Sequence, residues 1–332
     1  MGRFGIPGPS GFAGLVRARR QPLERRRGKT IRAGLDPGND SRRNMTEPHG
    51  GEAQPATGGH RIAPRSPQFR FPRGIDKHWL GGSVFRTHWL NSYTLIIPDG
   101  EKFIARTTKR YVDRVDPELR ERLLGLLGQE ISHSREHEKF FDNLTEQGYR
   151  IGGFVSAYKF AMYSVLEKLI SSLMGRKLLL STAAAIEHFN AVIAEVGLTN
   201  GFLDEADPGV RPLFEWHYAE EIEHKAVVFD VLRQVAPSYP VRAIGVVFAT
   251  CTFMGALLIG TMVLVAQDRK LFDRECLRDA AQLFFSKERF VPKLLVAFRD
   301  YLRRGFHPDQ HDSYPLAWEV FERLGVRFGR SI

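Results

Sequence analysis

From about residue 100 onward the chain repeats apolar positions every three to four residues, interrupted by short clusters of Gly, Pro and Asp. That period predicts helices over about Gly100 to Val112, Pro117 to Gly148, Phe154 to Met174, Lys177 to Val196 and Pro212 to Val235. Asp116 is placed to cap the second, with Pro117 at its first position, and Gly197 closes the fourth. Leu198 to Arg211, with its Gly, Asp and Pro208, reads as a loop, and Pro237 and Pro240 stop the last helix. Phe71 to Pro98 mixes aromatics with Gly and Pro and reads as irregular chain wrapping a larger body. The one β-branched run, Ser92 to Ile97, is too short to build a sheet. The expected fold class is all-α, a helical bundle.

Two segments break the amphipathic pattern. Ala243 to Ala266 carries 24 residues without a charge, between Arg242 and the Asp268, Arg269, Lys270 cluster. As a helix it would be roughly 36 Å long, against about 30 Å of bilayer hydrocarbon. It reads as a membrane span, a buried helix, or a helix lying in the interface from one side. A single crossing would separate the amphipathic, basic segment from Cys276 to Arg303 from the bundle, which favours the one-sided readings. The second segment is residues 1–70, rich in Gly, Pro and Arg and without an apolar period, and it reads as a disordered basic leader. The domain reading is therefore a leader (1–70), a bundle (71–240), and an apolar helix with amphipathic helices packed on or near it (241–332).

Charge and composition narrow the function classes. The chain of 332 residues is 43% hydrophobic and can bury a full core. Its formal charge of +10 is concentrated in the leader, where 14 Lys and Arg face 5 Asp and Glu, so the rest is nearly neutral. A nucleic-acid partner is not expected from such a balance. Two cysteines, Cys251 and Cys276, exclude a disulfide scaffold and a four-thiolate zinc site. No apolar run of about 7 to 15 residues follows the basic start, so a secreted protein is not expected; the expected location is cytoplasmic or membrane-associated.

The candidate chemistry lies in a repeated spacing. Two predicted helices carry Glu-x-x-His: Glu130 with His133 in GQEISHSREHEKF, and Glu221 with His224 in WHYAEEIEHKAVVF. Residues three apart are neighbours on a helix, so each pair aims an oxygen and a nitrogen at one point. The other two helices offer a carboxylate at matching depth. Glu101 lies 14 residues before the turn at Val115 and Glu130 lies 15 after it, while Glu187 and Glu221 each lie 17 residues from Asp204. One Glu on each of two helices and Glu-x-x-His on the other two is the ligand set of di-iron and di-manganese carboxylate bundles. The expected metal ligands are thus Glu101, Glu130, His133, Glu187, Glu221 and His224, holding two divalent ions, iron foremost, with manganese or zinc as alternatives. Two such ions would balance four carboxylates that otherwise repel in a low-dielectric core.

Structural readings stand beside these. Glu101, directly after Pro98, Asp99 and Gly100, would also suit a helix start, whereas Glu187 sits among apolar and small residues in LLLSTAAAIEHFNA. His137 and His217 fall toward one end of the proposed metal pair, as hydrogen-bond partners, an extra ligand, or ordinary core histidines; His137 is the candidate for moving protons. His188 points away around its helix. His307, His311 and Asp312 form a late metal-like cluster, for which a solvated loop is the commoner explanation. A mononuclear zinc-protease motif at His133 and His137 is disfavoured, because Ser134 stands where its glutamate belongs.

The motifs IPDGEKF, GQEISHSREHEKF, AAIEHFNA, WHYAEEIEHKAVVFDV and GFHPDQHD, in that order from roughly Phe71 to Ser313, resemble the predicted metal-dependent hydrolases, bacterial proteins with a ferritin-like helical core. The resemblance implies a ferritin-like four-helix bundle and a metal-dependent hydrolase. The ligand types by themselves suit oxygen chemistry as well, in a di-iron oxidase, oxygenase or ferroxidase. No Gly-x-Ser-x-Gly elbow is present, which disfavours a serine hydrolase. The apolar helix beside the bundle suits a lipid-like or small-molecule substrate. Iron storage and a non-catalytic, membrane-associated helical protein are the readings from other classes.

Overall fold

The computed structural model describes residues 62–325, all of them helical or irregular, with no strand among them and a single isolated bridge between Leu80 and Ala206. The leader falls outside the described residues up to position 61. In chain order the helices are α1 (Val84–Lys109), α2 (Pro117–Glu146), α3 (Gly152–Lys159), α4 (Glu167–Leu173), α5 (Arg176–Leu198), α6 (Arg211–His224), α7 (Val227–Val235), α8 (Tyr239–Ala249), α9 (Gly255–Gln267), α10 (Arg274–Ala281), α11 (Phe290–Tyr301) and α12 (Tyr314–Arg323). Single π-helical stretches join α3 to α4 (Phe160–Leu166), α8 to α9 (Thr250–Met254), and follow α10 (Gln282–Ser286).

Four of these helices surround the candidate residues. α1 packs along α2, α5 along α6, α1 on α5, and α2 on α6 and α7. α8 lies along α5, α9 along α1, and α11 and α12 cover α5 and α6. The Asp116 cap forms as read from the sequence, with Oδ1 accepting from the Leu119 amide at 2.9 Å and Pro117 following it.

The start of α1 departs from the sequence reading. The helix begins at Val84, where the Ser83 hydroxyl accepts from the Arg86 amide, and it runs through Pro98 rather than starting after it. Phe85 to Pro98 is buried without interruption, so its helical state rests on packing from all sides, which overrides both the proline and the β-branched run Ser92 to Ile97. Glu101 is accordingly in mid-helix, and a helix-start role for it is excluded. The long helix expected from Pro212 to Val235 is broken at Lys225 and Ala226. The break lets buried Lys225 donate to the His311 carbonyl and to Ser313 Oγ, tying the C-terminal loop to the bundle.

Residues 62–70, assigned to the leader from the sequence, are correctly part of the folded body. They form an extended strap across α2, seated so closely that a Cβ on Gly125 would lie 2.1 Å from the Ile62 carbonyl oxygen. Its buried cation Arg65 pairs with Glu220 and Glu223 on α6, and the Phe69 amide donates to Glu136 on α2. Two helices are long and apolar enough to cross a membrane by length and composition: Arg176–Leu198, whose apolar window is 83% buried, and Tyr239–Gln267, only 39% buried. The first is a core helix; the second keeps one side outside the core.

Candidate metal centre

The six expected ligands lie on four neighbouring helices; five of them fall in groups that could hold a metal ion, and Glu187 lies beside those groups, in neither. Glu101 comes from α1, Glu130 and His133 from α2, Glu187 from α5, and Glu221 and His224 from α6, each at most 1% exposed. His133 Nδ1 lies 3.3 Å from Glu101 Oε1 and 3.8 Å from Glu221 Oε1. His224 Nδ1 lies 3.0 Å from Glu130 Oε1, 3.7 Å from Glu187 Oε2 and 4.0 Å from Glu221 Oε2. Two overlapping groups, Glu101, His133, His217, Glu221 and Glu130, His133, Glu221, His224, each bring their ligand atoms within 4.8 Å of one another and could hold a metal ion.

The surrounding hydrogen bonds decide which ring nitrogens face inward. Gln129 Nε2 donates to the Ala63 carbonyl and to Glu223, which fixes its amide so that Oε1 accepts from His224 Nε2 at 2.6 Å. Glu220 Oε1 is taken by the Arg65 guanidinium and the Trp216 indole N–H, leaving Oε2 to accept from His133 Nε2 at 2.8 Å. With both Nε2 atoms carrying the proton, both Nδ1 atoms present bare lone pairs to the carboxylates. Arg65 anchors the arrangement, pairing with Glu220 and bidentately with Glu223. Sequence reading missed Arg65 because it lies in a Gly- and Pro-rich stretch with no period to signal burial.

Inside this shell the polar atoms have no partners. Glu101 Oε1, both oxygens of Glu130, Glu187 and Glu221, and the Nδ1 atoms of His133 and His224 are buried without a hydrogen bond. Such groups are costly unless a cation or protons satisfy them. Burial, reinforced by mutual repulsion, pushes the Glu101, Glu130 and Glu187 carboxyls well above the usual range. Burial raises Glu221 to about 7 against the opposing pull of His224. Burial holds His133 well below its ordinary value and lowers His224. Orphaned oxygens and bare imidazole nitrogens aimed at one another are the donor set of a divalent metal site, so the residues present fit the ions expected.

His137 faces the cluster only through His217. Its Nε2 lies 3.1 Å from His217 Nδ1, and its Nδ1 lies 3.2 Å from Thr94 Oγ1. His217 Nε2 lies 3.0 Å from the Tyr93 hydroxyl and 3.2 Å from Glu221 Oε1. Burial keeps both rings well below the usual histidine range. His188 turns away, its Nε2 bonding the Ala297 carbonyl on α11. The late cluster does not form: His307 bonds Asp230 and the Asp309 amide through its two nitrogens, and the side chain of His311 is 82% exposed beside Glu195.

A third group, His78, His88 and Asp268, has metal-like spacing, but its hydrogen bonds argue otherwise. Trp79 Nε1 donates to Asn91 Oδ1 at 2.9 Å, so the Asn91 amide N–H donates to His88 Nδ1 at 3.3 Å. His88 therefore carries its proton on Nε2 and donates it to Asp268 Oδ2 at 2.8 Å. Tyr149 OH and His78 also bond Oδ2, and Lys77 Nζ lies 2.6 Å from Oδ1. The carboxylate is saturated, and its pKa is held far below the usual range despite burial by His88, Lys77, His78 and Tyr149. This is a clasp joining the segment before α1 at Lys77 and His78, α1 itself, the residues after α2 and the end of α9.

No curated protein and no solved structure matches the chain. Residues 63–312 match the family described as predicted metal-dependent hydrolase, beginning at the strap that carries Arg65 and ending at the loop that Lys225 holds. With buried histidines and glutamates that could bind metal at its centre, the chain belongs to the predicted metal-dependent hydrolase family.

Proposed function

We propose that the six residues hold two divalent metal ions in a ferritin-like arrangement and that the protein hydrolyses a small-molecule or lipid-like substrate. The observation that carries this reading is the set of orphaned nitrogen and oxygen atoms on Glu101, Glu130, His133, Glu187, Glu221 and His224, contributed by four helices. Glu221 belongs to both overlapping groups and has two oxygens with which to serve two ions, whereas His133, with Nε2 given to Glu220, offers one ion its Nδ1. Bound ions of this kind supply Lewis acidity and lower the pKa of a coordinated water.

The chain's own groups handle the protons. Tyr93, His217, His137 and Thr94 form a hydrogen-bonded row leading away from Glu221. Each ring has one nitrogen toward each neighbour, so the row is consistent with donation in either direction. His217 touches the carboxylate cluster and is the nearer proton carrier; His137 extends the row and holds His217 in place. Arg65, Glu220 and Gln129 fix the ligand rings so that they need not reorient when a cation binds.

Elemental analysis of freshly purified protein tests the reading, together with turnover of acyl esters. Two ions per chain and ester hydrolysis that disappears in Glu187→Ala support it. Metal-free protein, or full two-metal occupancy in that variant, overturns it. Four carboxylates and two imidazoles also suit iron, and a coupled pair of irons consuming oxygen would move the assignment to a di-iron oxidase or oxygenase.

A further inference from the structure

The apolar segment after the bundle is exposed on one side only. Along the π-joined α8 and α9, Val247, Ile259 and Met262 are 49%, 60% and 40% exposed, while the opposite side packs on α5 and α1. The π-joined α3 and α4 repeat the pattern, with Phe160, Leu169 and Leu173 at 65%, 50% and 73%. Exposed positions on a soluble helix are polar; here those of α8 and α9 are uncharged throughout, while α3 and α4 mix their three with Lys159, Lys168 and Ser172.

Between the two stripes lies a cleft. Met162 and Leu166 line one wall, Phe248 and Thr252 the other. Both walls contain π-helical turns, which are frequent at functional sites. Its floor includes Gly100 and Ile186, the chain neighbours of Glu101 and Glu187. Phe253, also in the lining, packs on Tyr93, whose hydroxyl meets His217. None of the six ligand residues lines the cleft itself; it ends at the chain neighbours of Glu101 and Glu187 and at Phe253.

We propose that this face seats on one leaflet of an anionic bilayer and that the cleft admits an acyl chain from the leaflet toward Glu101 and Glu187. The substrate class is a membrane lipid or its fatty-acyl derivative, and this assignment rests on the metal-centre reading. Three observations select the membrane as occupant. The segment between Arg242 and Asp268 has no charge, so it fits hydrocarbon. Cations rim the face, with Arg176 and Lys177 beyond Leu173, Arg242 at one end of α8 and α9, and Arg269 at the other, which fits anionic headgroups. A second copy would set the same cationic rim against itself. A full crossing is disfavoured because α8 and α9 are bound along their inner side to α5 and α1, and Asp268 is clasped by Lys77 and Tyr149.

The experiment uses full-length protein, vesicles of phosphatidylcholine with or without phosphatidylglycerol, and nitroxide-labelled stearic acid followed by electron paramagnetic resonance. Wild-type protein should float with the anionic vesicles and immobilise the labelled acid. The triple variant Val247→Glu, Ile259→Glu, Met262→Glu should lose about ten-fold or more in vesicle binding with unchanged metal content. Leu166→Trp should float normally and lose about ten-fold in stearic acid binding. Metal-loaded protein that self-associates but does not float, or variants that match wild type, overturn the proposal. Glu187→Ala separates the two readings, because it should still float and bind the acid. Floating and acid binding by protein that never carries metal would overturn the metal centre and leave the lipid cleft standing.

Discussion

The protein holds two clusters of the same side chains, histidines beside carboxylates, one fully buried and one partly so, and they differ in their hydrogen bonds. Around Asp268 every hydrogen-bonding position of the carboxylate faces a donor: His78, His88 and Tyr149 on one oxygen and Lys77 on the other. Around Glu221 the carboxylate oxygens face one another, two bare imidazole nitrogens and, at 3.2 Å, His217 Nε2. The first cluster is complete as protein. The second is complete only with cations or protons added. Spacing alone does not separate them, since both satisfy a metal-like distance test. The tautomer does: Asn91 and Asp268 claim both nitrogens of His88, whereas Gln129 and Glu220 claim only the Nε2 atoms of His224 and His133.

The largest effect that would break this comparison is metal removal. Chelation should lower the melting temperature and cost about 4 kcal/mol or more, the linkage expected when free metal exceeds the dissociation constant a thousand-fold. Glu187→Ala should prevent binding of at least one ion, measured by elemental analysis. Asp268→Asn should leave the metal content unchanged. Equal metal loss in both variants would remove the distinction between the clusters.

Arg65→Met comes next. It strips the counter-charge from Glu220 and Glu223, both buried, and breaking such a pair costs about 3 to 5 kcal/mol. It also frees Glu220 to stop orienting His133, so metal affinity should fall about 10- to 100-fold. Adding Glu223→Gln should recover part of the stability and little of the affinity. Denaturant midpoints and metal titrations read the two effects separately.

How much of this was legible in the sequence follows from what each signal depends on. That these six side chains lie at one depth was readable because helix period and turn position fix depth in a bundle, and Glu-x-x-His is a local spacing. The first half of α1 was not, because its helical state depends on burial from every side, while the local cues of Pro98 and the β-branched run point elsewhere. Arg65 and Gln129 were missed for a related reason: a residue that orients a ligand is defined by its three-dimensional partners and leaves no periodic trace. His217 was visible as a residue near the cluster, yet its contact with Glu221 depends on side-chain directions that helix spacing does not give.

A smaller effect belongs to the clasp. Asp268→Asn should cost about 2 kcal/mol at neutral pH, the range for a hydrogen bond to a charged group. The folded-state pKa of Asp268 is depressed, so its contribution is present above the unfolded value of about 3.9 and is lost as pH falls toward the folded one. The gap between wild type and variant in urea midpoint should therefore be full at neutral pH and narrow below about pH 4. A gap that widens in acid would show that the carboxylate is not held ionised by its donors.

The finest test changes no residue and almost no energy. In metal-free protein, nitrogen-15 correlation spectra of the histidine rings should show protons on the Nε2 atoms of His88, His133 and His224 alike. Adding zinc, which is diamagnetic, should shift the Nδ1 resonances of His133 and His224, because those lone pairs face the carboxylates. The Nδ1 resonance of His88 should stay where it was, its lone pair already accepting from Asn91. A zinc-induced shift at His88 would mean that the clasp binds metal after all. Silence at His133 and His224 would mean that the orphaned atoms are satisfied by protons alone.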